Sequence, residues 1–151
     1  MRVAKRVERS KQEGDGRSPV GVFKLGAVFG TQGRPEALDA AWTWRSVKRG
    51  DVWVDDPESA RYNTWVASSE KERAFTSAEE LTMYDLAVVI EHNTSDVQKG
   101  AGSAIFLHTF ATGEGATAGC TSMPRGALLD LLGRLETKKN PVFIQVVDEV
   151  L

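Results

Sequence analysis

The chain has 151 residues, 41% of them hydrophobic and 26% charged, with a formal net charge of −2. That length suits one domain able to bury a core, and the near-neutral balance offers nothing to draw it to nucleic acid or an anionic membrane. The single cysteine excludes an internal disulfide, and no apolar run is long enough for a transmembrane helix.

Residues 1–12 (MRVAKRVERSKQ) are basic and mixed, with no apolar stretch of the secretory-signal kind. They suit a helix start, a frayed end or the remnant of a strand, and Lys5, Arg6, Arg9 and Lys11 read as solvated charges. Two glycines within residues 13–17 make a turn. Pro19 lacks an N–H for a ladder and belongs at a strand beginning or edge. Residues 21–29 (GVFKLGAVF) alternate as a half-buried strand does. Residues 30–35 are loop, and 36–41 are a short helical turn or more of that loop. Trp42, Trp44 and Val47 suggest extended chain, as do residues 51–54. Three tryptophans between 42 and 53 read as packing across a sheet in preference to a groove wall.

Asp55-Asp56-Pro57 with Tyr62-Asn63 has loop chemistry. Adjacent carboxylates serve acid/base work, metal binding or Asx-turns, and for a metal no further histidine or carboxylate stands at ligand spacing. Residues 71–81 are polar with a helical hint at their end. Residues 86–92 (LAVVIEH) are the clearest buried strand, nearly continuous in apolar and β-branched residues. Residues 93–99 turn, and 100–102 lead into a strand over 103–108 (SAIFLH) that ends on His108. A loop of small residues then delivers Cys120. Ser122 and Pro124 open a helix over 124–135, where Ala127, Leu128, Leu131, Leu132 and Leu135 fall at helical spacing. Residues 138–140 turn into a closing strand over 141–147 (PVFIQVV). The sum is mostly β with one good helix, and no βαβ alternation supports a doubly wound sheet.

Cys120 and His108 are the candidate chemistry. A cysteine attacks as thiolate, and histidine is the side chain whose proton affinity suits a base near neutrality. Twelve positions separate them, a distance that suits a strand end and a returning loop. Ala116, Thr117, Ala118 and Gly119 permit a tight turn and leave main-chain N–H groups for an oxyanion. A helix N-terminus aimed at Cys120 would favour the thiolate further. Against this, a lone cysteine is usually a small buried hydrophobe. His92 also ends a strand, beside Asn93, and competes for the base role.

His108 followed by Thr117-Ala118-Gly119-Cys120 resembles the active-site segment of the L,D-transpeptidase catalytic-domain family (YkuD type), where a strand-ending histidine precedes a loop with S/T-x-G-C. Asp15-Gly16-Arg17-Ser18-Pro19-Val20-Gly21-Val22-Phe23 looks like that family's opening block. Asp55-Asp56-Pro57 with Tyr62-Asn63, Tyr84-Asp85, and residues 102–108 recur in the same order in a bacterial branch, so most of the chain from about Glu13 onward is covered. The resemblance implies a β-rich sandwich or barrel-like sheet with one helix beside the active-site loop. One domain would span residues 1–151, lacking the strand pair that normally precedes the opening block.

The activity it implies is peptidoglycan L,D-transpeptidation. Cys120 would form a thioester with a stem peptide at diaminopimelate and pass the acyl group to an amine. His108 would be the base, Gly119 and Cys120 would lend N–H groups to the oxyanion, and the Thr109 carbonyl would hold the imidazole tautomer. Thr117, Ala118, Ser122, Arg125, Asp55, Asp56, Tyr62 and His92 would line the substrate groove, an Asp meeting the diaminopimelate amine. Two departures stand out: many members have His two before the cysteine and Arg two after it, where this chain has Ala118 and Ser122. Arg125 is close enough to substitute for that arginine. A carboxypeptidase or other hydrolase on the same site, and a catalytically idle wall-binding module, are the alternatives. No cofactor or metal is expected; the partner is a stem peptide, the chain a monomer, and the location periplasmic or in the cell wall.

Overall fold

The computed structural model describes residues 11–109 and 117–146. Val147, the last residue of the expected closing strand, lies outside them, as do most of residues 1–12 and the loop residues 110–116. Nine strands and one α-helix appear among the described residues. They are β1 (Gly21–Gly30), β2 (Trp44–Ser46), β3 (Val52–Val54), β4 (Trp65–Val66), β5 (Ala78–Glu80), β6 (Ala87–Ile90), β7 (Phe106–Thr109), β8 (Thr121–Met123), α1 (Arg125–Arg134) and β9 (Val142–Gln145). A six-stranded mixed sheet runs β2-β1-β6-β7-β8 with β9 also on β1, and β4-β3-β5 form a smaller antiparallel sheet. No helix among the described residues is long and apolar enough to cross a membrane.

The centre of the large sheet, formed by β6, β7 and the end of β1, is buried on both faces, which explains the unbroken apolar run of β6. Leu86, Val88 and Ile90 join Val28, Ile105 and Leu107 in one cluster, completed by Leu128 and Leu132 of α1. Ala87 and Val89 join Phe29, Ala104 and Phe106 in a second, covered by Trp53 and Trp65 of the small sheet and by Leu81 and Tyr84. Alternate residues on a strand point to opposite faces, so each strand supplies both layers. Phe106, fully buried, contributes on the order of 2–3 kcal/mol by leaving water. The tryptophans divide between the layers, Trp42 in the first and Trp53 in the second. Their role is packing.

Local departures from the sequence expectation have local causes. Residues 36–41 take the second of their two expected forms, turns that continue the loop. The polar run before Tyr84 holds β5, held edge-on by β3, and only then a single 3₁₀ turn at Leu81–Met83. Ser103 and Ile105 are not strand: Ala104 sits at φ 52, in the left-handed region that breaks extension. Ser122 is strand where a helix start was expected, because β8 pairs with β7 before the chain turns at Pro124 into α1.

Strand β1 passes β6 through a bulge between Leu25 and Val28, which lets its first half pair β9 and its second half pair β6 and β2. At its end Gly30 runs so close to β6 that a Cβ there would fall 2.1 Å from the Asp85 carbonyl oxygen. Gly30→Ala should therefore cost about 3 kcal/mol, at the top of the range for overpacking, when unfolding is followed in urea. Gly33→Ala, with open space around its Cβ, should stay within about 0.5 kcal/mol of wild type.

Candidate active site

The parallel pairing of β7 with β8 assembles the site. Leu107 faces Thr121 and His108 faces Ser122; one step back, the same register sets Cys120 beside Phe106. Its sulfur accepts the Phe106 N–H at 3.3 Å and donates to the Ala104 carbonyl at 3.2 Å. Residues two apart on a strand share a face, so His108 projects to the side of Phe106, where Cys120 packs against the second cluster. His108 Nδ1 lies 2.9 Å from the Thr109 carbonyl oxygen. A carbonyl only accepts, so Nδ1 holds the proton and Nε2 of the neutral ring keeps its lone pair.

The backbone around the sulfur is tightly specified. Asn63 is its hub: Oδ1 accepts from Trp53 Nε1 (2.7 Å) and Ala104 N (3.1 Å), while Nδ2 donates to the His92 and Asn93 carbonyls. With Ala104 pinned this way in the left-handed region, its carbonyl turns toward Cys120. Gly119 has φ 128, and a Cβ there would stand 2.8 Å from the Arg17 carbonyl oxygen, so conformation and space both demand glycine. Thr117 Oγ1 closes the turn by donating to the Cys120 carbonyl at 2.5 Å.

Burial pushes the Cys120 thiol up to about 12, and the Glu79 carboxylate pushes the same way. The Phe106 N–H, Lys11 and the Tyr84 hydroxyl work against them. The Tyr84 ring meets the His108 imidazole edge-on at 5.1 Å between centroids and belongs to the cluster that Cys120 packs against. Its hydroxyl is hydrogen-bonded to Glu79. Burial raises the Glu79 carboxyl against the effect of the Tyr84 hydrogen bond, and Asp55 and Glu13 raise it further. At neutral pH the sulfur rests as a thiol, bonded to main chain.

The remaining sequence candidates scatter. Ala118 is exposed, and Ser122 is half-buried on the face of His108. Arg125 is exposed at the first position of α1. Because β8 separates Cys120 from that helix, the expected dipole assistance is withdrawn: the field of a helix end fades within its first turn. Asp55 accepts from Ser77 Oγ at 2.5 Å. Asp56, 6% exposed, gives its carboxylate to the Thr76 N–H and hydroxyl and to the Glu58 N–H, which hold it below the usual carboxylate range. Its bonds clamp the loop. Tyr62 donates to Glu13 at 2.5 Å and accepts from Gly102 N at 3.0 Å, bracing the approach to β7; burial, then Glu13, raises its phenol. His92 Nε2 bonds the Ala101 carbonyl at 2.8 Å, and its ring packs edge-on against Phe23. Phe23 belongs to the helix-side cluster, so His92 sits across the sheet from Cys120. A cavity of about 330 Å³ lined by Lys24, Trp42, Glu91 and Pro141 shares no residue with the surroundings of Cys120.

Asn63, Glu79 and Tyr84 were not among the candidates. Asn63 and Tyr84 lie in blocks already noted, but the signal there was of order along the chain, not of contact. Glu79 sits in a polar run where nothing sets it apart from Glu80. Among known proteins, the family model of the L,D-transpeptidase catalytic domain (YkuD) matches residues 3–144. No curated protein and no solved structure matches the chain.

Asn63→Ala should destabilise the fold by about 3 kcal/mol in urea unfolding, since it leaves the buried Trp53 and Ala104 N–H groups unpaired. The raised thiol also makes an alkaline signature. An unfolded cysteine ionises near 9 and the folded one near 12, so in that window the unfolded state binds fewer protons and stability falls as pH rises. The stability of wild type relative to Cys120→Ala should decline between about pH 9 and pH 12 and be level below it, measured by thermal unfolding of both.

Proposed function

The chain belongs to the L,D-transpeptidase catalytic-domain family, and from that membership we propose that it is a cysteine acyltransferase of peptidoglycan. The observation that supports this best is local: His108, its Nδ1 proton held by the Thr109 carbonyl, stands on the same sheet face as Cys120 with Nε2 left as base.

In the proposed reaction Cys120 attacks the carbonyl at the L-centre of diaminopimelate in a stem tetrapeptide. A thiol held up near 12 is ionised in roughly one molecule in 10⁵ at pH 7, equivalent to about 7 kcal/mol. A preformed thiolate–imidazolium pair is therefore not the resting state. The sulfur leaves the Ala104 carbonyl, and His108 Nε2 takes its proton as the S–C bond forms. The Cys120 and Gly119 N–H groups hold the oxyanion, a contact worth about 3–4 kcal/mol in other acyl-transfer sites. The imidazolium then returns its proton to the departing D-alanine amine, leaving a thioester. An amine acceptor resolves the thioester into a 3→3 cross-link, and water resolves it into a trimmed stem. Thr117 and Ala118 on the loop before Cys120, and Ser122 and Arg125 on the strand and helix start after it, line the groove, and Arg125 is the group offered to a substrate carboxylate. The place of action is outside the cytoplasmic membrane, where peptidoglycan lies.

The sulfur's bonds to main chain also suit a wall-binding module with no catalysis, and one experiment separates the two. Incubation with a purified tetrapeptide donor should add the acyl mass to wild type by intact mass spectrometry. Cys120→Ala should show no adduct, and His108→Ala should form it about 10²–10⁴ times more slowly. An unacylated wild type at saturating donor would leave the binding module.

A further inference from the structure

A cavity of about 170 Å³ opens where β2 meets the small sheet, and Cys120 is not among its walls. Trp44 packs with the helix-side cluster, so the next residue of β2 projects to the opposite face. That residue is Arg45, whose guanidinium lies over the Trp65 ring, 3.9 Å from the centroid. Two loops, residues 46–51 and 67–70, close the space around it. Asp51, 4% exposed, ties them by accepting the Lys48 N–H at 2.9 Å and the Ser68 N–H at 2.8 Å. Arg73 ties them again, donating to the Ala67 and Gly50 carbonyls at 3.0 Å each.

The walls offer donors. Arg45 and Lys48 make no ion pair among the described residues, and Ser68 and Ser69 stand exposed beside them. Trp65, 9% exposed, carries the one buried side-chain nitrogen among the described residues that has no hydrogen-bond partner. Such an orphan is rare in a folded protein and calls for an explanation. The carboxylates whose charge reaches Arg45 are engaged elsewhere. Asp51 takes the two N–H groups above, and Glu70 takes Arg61 at 2.7 Å and the Ala67 N–H at 2.8 Å. The indole fixes where the guanidinium sits, while no carboxylate takes its N–H fork.

We propose that this cavity is a binding site for an oxyanion, a carboxylate or phosphate group. The Arg45 fork grips it, and Lys48 and the two serine hydroxyls add donors. The volume suits a small anion or the charged end of a larger molecule. The site goes beyond the acyl-transfer reading and needs neither Cys120 nor a stem peptide, so each can fail without the other.

The experiment titrates isotope-labelled protein with sodium phosphate and, separately, sodium acetate, chloride keeping the ionic strength constant. Nitrogen–proton correlation NMR follows the Ser68 and Ser69 amides and the Trp65 indole. These signals should move together along one saturating curve, with a Kd on the order of 1–10 mM. Saturation by acetate identifies a carboxylate site, and saturation by phosphate alone a phosphate site. Arg45→Gln should weaken binding about tenfold or more, since it removes charged hydrogen bonds. Arg45→Lys keeps the charge but loses the fork, and should weaken it by roughly fivefold. Arg49→Gln removes an exposed charge that is not in the walls, and should leave the Kd within about twofold. Arg45 is itself exposed, so its variants should fold, and the wild-type curve stands without them. A drift with no saturation by either anion, an Arg45→Gln curve like wild type's, or the same loss in Arg49→Gln would each overturn the site.

Discussion

The site depends on one register. Leu107 opposite Thr121 and His108 opposite Ser122 place Cys120 level with Phe106 and on the imidazole's face. A slip of one residue would send every β8 side chain to the other face, and the sulfur would enter the helix-side core. Burial on both faces holds that register: Leu107 is fixed among Leu128 and Leu132 on one side, and Phe106 among Phe29 and Trp53 on the other. The two clusters thus hold sulfur and ring on one sheet face for as long as both layers stay packed.

The same burial sets the electrical state of the site. A sulfur pressed against Phe106 and Tyr84 loses water that would stabilise its anion, and Glu79 adds a repulsion. One main-chain N–H, from Phe106, is the principal compensation. The result is a sulfur that rests as a thiol among apolar neighbours. The tautomer of His108 is fixed by its own neighbour's carbonyl, which leaves Nε2 of the neutral ring its lone pair. The braces around them, Asn63 on Ala104 and Glu13 on Tyr62 and Ser103, serve to aim one carbonyl and hold one loop.

Much of this was legible in order along the chain. The apolar run of residues 86–92, the helical spacing of Leu128 and Leu132, and the small residues before Cys120 each state a local preference that tertiary packing then obeyed. Local spacing misled where pairing overruled it. Ser122 beside Pro124 suggests a helix start, yet the three residues after Cys120 are strand because β7 has an edge to offer. Residues 71–81 suggest a late helix, yet Ala78–Glu80 pair with β3. His92 and His108 both close apolar runs, and no local pattern separates them. Only the contact with Phe23 puts His92 across the sheet.

By itself the sequence determined a β-rich chain with one helix, a single thiol after a glycine turn, a histidine twelve positions earlier and the family that this order denotes. Those are properties of residue types and short intervals, and they survive without coordinates. Tertiary structure alone decided which histidine shares a face with the sulfur, that the sulfur rests on main chain, and that Tyr84, bonded to Glu79, packs edge-on against the imidazole. Such facts arise from contacts between segments remote in the chain. Burial and charge act through space, so no interval along the backbone encodes them.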